Sequence, residues 1–406
     1  MDHQISQRIE HLTYAMRWFL TYLQDTSYDE LVNDPRTDNF ALGNPQDMPL
    51  PGFVETLHRA AEPRNKDWFA YKLSEPESQA VVAAALREEL GLPFEPDDIA
   101  MTNGAFGALA TAIQVVVDPG DEVILNLPPW FFYEVQIANA GGVPVKVPVN
   151  RGTFDLDLDA IEAAITSRTR AIIVNTPNNP TGVIYTPETL QRLAEILTRA
   201  SERNGRPVYL ISDEPYRRIR YDGAPFTSPL ACYPFSMMSY SYGKILLTPG
   251  QRLGYLALPP TMPNREAMRS AIQIEQITAG FLFPNAIMQH GIAEFERLAI
   301  DIEALRRKRD RMVGALREIG YEVHSPQATF YLLPKSPWQD DMAFTRELAA
   351  RHILCLPGSV AEIPGYFRIS LTASEEMIER SLPGFADAFH YASTHEPAAA
   401  KMAAAR

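Results

Sequence analysis

The residues best suited to chemistry in this chain lie between Ser239 and Tyr255, where Lys244 follows Tyr242 and Gly243. Ser241 stands three residues before the lysine and Arg252 eight after it. A turn built on Thr248-Pro249-Gly250 brings the chain back, so that all three can face one point. An amine, a hydroxyl and a guanidinium on one bent loop suit an aldehyde that carries a phosphate. The lysine would condense with it as a Schiff base, and the serine and arginine would hold the phosphate. A lone loop lysine is ordinarily a solvated surface charge, and what favours chemistry here is the company it keeps elsewhere in the chain.

The elements that must position this loop follow a regular plan. Ile99–Thr102 reads as a short strand, with Asn103-Gly104-Ala105-Phe106-Gly107 as the tight opening of a helix that runs toward Val117. Glycine at such a junction lets backbone N–H groups approach an anion, and the helix dipole favours negative charge there. Glu122–Leu127, Val143–Val149, Arg170–Val174 and Val208–Ser212 are further predicted strands. Three of these run into polar or aromatic stretches: Pro128-Pro129-Trp130-Phe131-Phe132-Tyr133, Asn175–Gly182 and Asp213-Glu214-Pro215-Tyr216. Helices are predicted over Glu77–Leu90, Leu158–Ile165 and Pro187 to about Arg203. The alternation implies a mainly parallel sheet covered on both faces, with its polar loops gathered along one edge. Gly254–Leu258 adds a strand after the lysine. Beyond it, helical patterns over Glu266–Thr278, Asn285–Leu316, Phe344–Arg351 and Ser374–Phe389 interleave with short strands at Glu322-Val323, Thr329–Leu333 and Tyr366–Ser370, an α+β unit. Before all of this, Gln4–Leu23 has the spacing of one amphipathic helix.

Composition bounds the function. A chain of 406 residues, 46% hydrophobic and 21% charged, can bury a large core in two domains. A net charge of −13 argues against nucleic acid or an anionic membrane as the main partner. The densest basic cluster, Arg306-Arg307-Lys308-Arg309, reads as a solvated helix face. Two cysteines, Cys232 and Cys355, fit buried thiols in a reducing compartment and offer no metal-ligand spacing; the eight histidines form no HExxH-like cluster, so no metal is expected. Neither a signal peptide nor a membrane-spanning run is recognisable, and the cytoplasm is the expected location.

Four ordered blocks, Asn178-Asn179-Pro180-Thr181-Gly182, Asp213-Glu214-Pro215-Tyr216, Ser241–Tyr255 and Phe367-Arg368-Ile369-Ser370, resemble the motifs of class I/II aminotransferases, the aspartate-aminotransferase-like enzymes that use pyridoxal 5'-phosphate (PLP). The resemblance covers Leu42 to about Ala392. It implies the α/β fold of fold-type I, with a large PLP-binding domain over 46–285, a small C-terminal domain over 286–394, an N-terminal helical arm over 1–45 that packs with the small domain, and a disordered tail over 395–406. Lys244 would hold the cofactor and carry the substrate's α-proton, Asp213 would pair with the pyridine nitrogen, and Asn179 and Tyr216 would bond its phenolate oxygen. Trp130 would stack on the ring, while Ser241, Arg252 and the backbone of Gly104, Ala105 and Phe106 would hold the phosphate. Tyr71 matches a tyrosine that reaches the phosphate of a neighbouring subunit, which implies a homodimer. Arg368, aided by the backbone of Gly43, would bind the substrate α-carboxylate.

The chain departs from the family pattern in places. Gly243 stands where many members carry serine or threonine, so one hydroxyl to the phosphate is missing; Glu75-Pro76 replace a common glycine after Tyr71. Ala105 and Phe106 occupy positions where some dicarboxylate-specific relatives place a hydroxyl or a lysine, and an apolar Phe106, with Phe281, Leu282 and Phe283, points to a neutral, aromatic or aliphatic amino donor. The expectation is an L-amino acid to 2-oxo acid aminotransferase working by two half-reactions. Lyase, decarboxylase or oxidase chemistry on the same fold is the alternative, and a non-catalytic PLP-binding sensor is a further one.

Overall fold

The protein is described by a computed structural model over residues 5–280 and 282–397. Gln4, Phe281 and 398–406, which hold most of the predicted tail, lie outside the described residues. A two-residue strand, β1 (Asp38–Asn39), precedes a large sheet of β2 (Ile99–Thr102), β3 (Glu122–Leu127), β4 (Val143–Pro148), β5 (Thr169–Asn175), β6 (Tyr209–Asp213), β7 (Ser236–Ser241) and β8 (Gly254–Ala257). The strand order is β2-β8-β7-β6-β5-β3-β4. Neighbours are parallel except where β8 runs antiparallel to β2 and β7.

The sheet is held by strands that are apolar on both faces, as a parallel sheet between helices requires. Successive side chains point to opposite sides. Ile124, Ile172, Val174 and Leu210 pack with Leu193 and Leu197 of the helix Pro187–Asn204 on one side. Val123, Leu125, Ala171, Ile173 and Ile211 meet Ala108, Ala112 and Ile113 of the helix Gly104–Val116 on the other. Full burial of each branched side chain contributes about 1.5–3 kcal/mol, so both layers resist sliding and the strand ends stay in register.

A smaller α+β unit follows, with β9 (Tyr331–Leu332), β10 (Ile353–Leu354), β11 (Leu356–Pro357) and β12 (Phe367–Ser370). Its antiparallel sheet runs β11-β12-β9, and β10 pairs in parallel with β1. The chain's early segment is thereby tied to its last third, with Phe40 buried against Phe385.

Several expectations need correction. The single helix over Gln4–Leu23 is two, Gln7–Ala15 and Arg17–Asp25. The first buries no side chain, whereas the second is anchored by Tyr22, fully buried among Ala349, Leu354 and Leu356. The predicted helix Asn285–Leu316 is three: Ala286–His290, Ile292–Phe295 and Ile302–Ile319. Glu322-Val323 forms no strand. The basic cluster is only partly a solvated face, since Arg309 is buried in an ion pair with Asp222 and over the Tyr221 ring. Cys355 is buried, but Cys232 is only half-buried.

Candidate active site

In open sheets of this kind ligands sit beyond the carboxyl ends of the parallel strands, and the register places the candidate residues there. Asn175 at the end of β5 lies beside Asp213 at the end of β6, which lies beside Ser239 of β7. Ser241 ends β7 opposite Gly254, where β8 begins. Lys244 is therefore carried by a short helix, Tyr242–Ile245, fixed between two strands rather than by a free loop. The predicted turn is present at Pro249–Gln251 and returns the chain to Arg252.

A cavity of about 240 Å³ gathers Gly43, Ala105, Phe106, Trp130, Asn179, Asp213, Tyr216, Ser241, Lys244, Arg252 and Arg368. Lys244 Nζ stands 5.7 Å from the Tyr216 ring centre and 5.9 Å from that of Phe330. Arg252 donates to the carbonyl oxygens of Pro249 and Asn103, at 2.6 and 3.1 Å. It presses on Gly104 so closely that a Cβ there would meet its Nη2 at 2.6 Å; Gly104 also has φ of +75°, which only glycine adopts freely. The guanidinium thus lies at the start of the helix Gly104–Val116, whose first N–H groups have no partner within the helix. Together they form a seat for an anion. Ser241 Oγ accepts from the Gly243 N–H at 3.3 Å at the same corner.

Asp213 is buried, and its Oδ1 has no hydrogen-bond partner, while Oδ2 accepts from Tyr133 at 2.6 Å. Burial lifts its pKa from the ordinary 3.8 to about 6, against the opposing pull of Tyr133, Ser239 and the Lys244 charge. Arg368, buried in β12, donates to Asn179 Oδ1 and to the Ala41 carbonyl oxygen, each at 2.9 Å, and its Nε is unpartnered. Trp130 meets Phe106 edge to face, with ring centres 5.3 Å apart. Tyr71 is not brought to this cavity: it is 86% exposed and lies 4.7 Å from the Phe283 ring.

Residues that the sequence reading left out also line the cavity or support it. Asn175 donates to the Asp213 carbonyl oxygen at 2.8 Å and accepts from the Asn179 N–H at 2.6 Å, holding two candidate residues together. Tyr331 has Arg368 over its ring at 4.1 Å, and its hydroxyl accepts from that of Tyr216 at 3.4 Å. Burial works to raise the Tyr331 phenol, but the charges of Arg368 and Lys244 outweigh it and bring it below its ordinary value. In sequence it stands in the middle of the predicted strand Thr329–Leu333, where nothing distinguishes it from a core tyrosine.

A family model described as aminotransferase class I and II matches residues 38–383. The chain belongs to the class I and II aminotransferases. Among curated relatives, the aspartate/prephenate aminotransferase of Thermus thermophilus is 31% identical over 348 residues, covering 84% of this chain and 88% of that protein. Among solved structures, the aspartate aminotransferase of Thermus thermophilus with maleate is 27% identical with a TM-score of 0.82, covering 95% of this chain and 100% of that one. The alanine aminotransferase of Pyrococcus furiosus is 26% identical with a TM-score of 0.83, covering 95% and 100%.

Class I and II aminotransferases are PLP-dependent enzymes that act on amino and 2-oxo acids. The residues present in this aminotransferase fit that cofactor. An amine, an anion seat and an unpartnered buried carboxylate oxygen line one cavity, matching an aldehyde, a phosphate and a basic ring nitrogen. Among the described residues there is no cluster of histidine, cysteine or carboxylate side chains fit to hold a metal, and no helix long and apolar enough to cross a membrane.

Proposed function

We propose that this aminotransferase takes its amino group from a neutral L-amino acid with a large, preferably aromatic, side chain and delivers it to a 2-oxo acid in two half-reactions at one cavity. The observation that carries the reading is the balance of charge in the lining. Its cations are Lys244, Arg252 and Arg368, whose tasks are the aldehyde, the phosphate and the α-carboxylate. The large apolar side chains of the wall are Leu42, Phe106, Leu109, Trp130 and Phe131, while among its polar side chains Asn179, Asp213, Tyr216 and Ser241 have tasks on the cofactor. A distal carboxylate would face this wall without a cation, at a desolvation cost of several kcal/mol. An apolar ring would be at home there.

Bound PLP supplies the aldehyde that condenses with amines and an electron-poor ring that stabilises negative charge at the substrate α-carbon. The protein supplies position and proton transfer. Lys244 Nζ would hold the cofactor's aldehyde and, as a free amine, would carry the proton of the substrate α-carbon. Asp213 Oδ1 would face the ring nitrogen, and Asn179 and Tyr216 the phenolate oxygen. Arg252, Ser241 and the N–H groups from Gly104 to Phe106 would hold the phosphate, and Trp130 would cover the ring. Arg368 would offer its fork to the α-carboxylate beside Gly43. The exposed Tyr71 fits a homodimer in which it reaches the partner's phosphate. Net acidity and free thiols fit a cytoplasmic enzyme.

The test is single-turnover spectroscopy of the holoenzyme with an amino-acid panel and no acceptor. Phenylalanine should convert the cofactor to its amine form once per site, with a rate over affinity at least about 100-fold above that of aspartate. Preference for aspartate would refute the assigned substrate class. Continued ammonia release would replace transamination by elimination, and an unchanged spectrum with every amine would leave a binding protein.

A further inference from the structure

Tyr133 opens the helix Tyr133–Asn139, directly after the aromatic corner that follows β3. Its side chain is buried, and its ring packs edge-on against Trp130 with centres 5.4 Å apart. Its hydroxyl donates to Asp213 Oδ2 at 2.6 Å, the length of a strong hydrogen bond to a carboxylate. Other groups facing Asp213 contribute less. Asn175 reaches Oδ2 only at 3.5 Å and spends its amide on the Asp213 carbonyl oxygen. The Ser239 hydroxyl also favours the ionised carboxylate, less than Tyr133 does, and donates to the Ala105 carbonyl oxygen at 3.2 Å. Lys244 acts on the carboxylate through its charge, and Tyr216 and Tyr185, which lie near Tyr133, are phenols that burial keeps neutral.

We propose that Tyr133 is a positioning residue that aims Asp213 Oδ1 into the cavity and keeps this carboxylate a weaker base than the ring nitrogen it faces, so that their shared proton stays on the ring. The proposal rests on the reading of Asp213 as partner of that nitrogen. Burial pushes Asp213 toward holding a proton itself. A donor on Oδ2 stabilises the ionised form and opposes this. Remove the donor and the proton moves from nitrogen to carboxylate, with no other atom changing place. The ring then loses the positive charge that draws electrons from the α-carbon. Tyr133 also couples this tuning to ring stacking, because the same side chain supports Trp130 from its edge.

The experiment uses holoenzyme loaded with PLP carrying nitrogen-15 in the ring, and reads the nitrogen chemical shift. Wild type should show a protonated ring. Tyr133→Phe, which keeps the packing against Trp130, should move the signal toward the neutral position. It should also lower kcat about 10- to 100-fold, the range for loss of a hydrogen bond to a charged group, with KM changed less than about twofold. Replacing Tyr133 by difluorotyrosine, a stronger donor of similar shape, should leave the signal at or beyond the wild-type position. Either a wild-type shift in Tyr133→Phe or a neutral ring with difluorotyrosine overturns the proposal. Asp213→Asn separates the two levels. If it neutralises the ring while Tyr133→Phe does not, only the role of Tyr133 falls. If it leaves the ring protonated, the role of Asp213 falls and that of Tyr133 with it.

Discussion

At the scale of single residues, the site is built from groups kept in costly states until a cofactor answers them. Asp213 shows the sign of that cost. Its folded-state value, about 6, lies above the ordinary 3.8, so the folded protein binds more protons than the unfolded chain between these values. Stability contributed by Asp213 therefore falls as pH rises through this window, by up to about 3 kcal/mol once both states are ionised. Apoenzyme carrying Asp213→Asn should be more stable than wild-type apoenzyme at pH 8 by an amount of that order, and the difference should vanish toward pH 4. Denaturant melts at both pH values measure it, and equal stability at pH 8 would contradict the burial cost. Gly243 makes a second residue-scale case. Sequence reading treats it as a lost phosphate hydroxyl, but a Cβ there would lie 2.9 Å from Pro249 Cα, which is backbone. Gly243→Ser should shift the turn that carries Arg252 and weaken PLP binding to apoenzyme about tenfold, despite the hydroxyl gained. Tighter binding in a PLP titration would show that the turn yields freely.

At the scale of elements, what could be read in the chain depended on whether a segment's own pattern decided its structure. Strands β3, β5 and β6 are apolar runs punctuated by polar ends, and they were legible within a residue or two. The lysine segment was legible as chemistry but not as structure. β7 is Ser-Met-Met-Ser-Tyr-Ser, polar enough to resemble a loop, and becomes a strand only because β6 and β8 pair with it. Two-residue strands such as β1 and β10 exist only as each other's partners. Of the site, the motif residues were legible; Asn175, Tyr133 and Tyr331 were not, since each acts through a contact between segments far apart in sequence. The helix misread over Asn285–Leu316 has a local cause. Gly291 separates Ala286–His290 from Ile292–Phe295, and a Cβ there would stand 2.7 Å from the Phe295 ring and 3.0 Å from Thr56, with Phe295 fully buried. Gly291→Ala, although it favours helix by propensity, should therefore destabilise the protein by about 1–3 kcal/mol through overpacking. A thermal melt at or above the wild-type value would mean that Phe295 and Thr56 give way to the added methyl group at no cost.

At the scale of the molecule, the charge and polarity of the surface bear on whether the active site is complete in one chain. Tyr71 is 86% exposed, Ile274 60%, Ile277 50% and Phe283 47%. The Tyr71 and Phe283 rings are tilted by 34° with centres 4.7 Å apart. Leu73 and Ser74 share one cleft with Gln273 and Gln276 of the helix Arg265–Thr278, which places the segment that follows Tyr71 beside the helix that carries Ile274 and Ile277. Exposed apolar side chains of this size suit an interaction surface, and in the proposed homodimer a second copy would cover them and receive Tyr71 at its phosphate. Two chains of 45.5 kDa each should sediment together. Ile274→Asp with Ile277→Asp places two charges where the partner would bury them, at several kcal/mol, enough to shift a dimer toward monomer. If Tyr71 completes the neighbouring phosphate site, the same double variant should lose PLP affinity in step with the dimer, and Tyr71→Phe should lose affinity without dissociating it. Sedimentation velocity and PLP titration on the same samples separate these effects. A monomeric wild type with undiminished PLP affinity would leave the phosphate to Arg252, Ser241 and the start of the helix Gly104–Val116 alone.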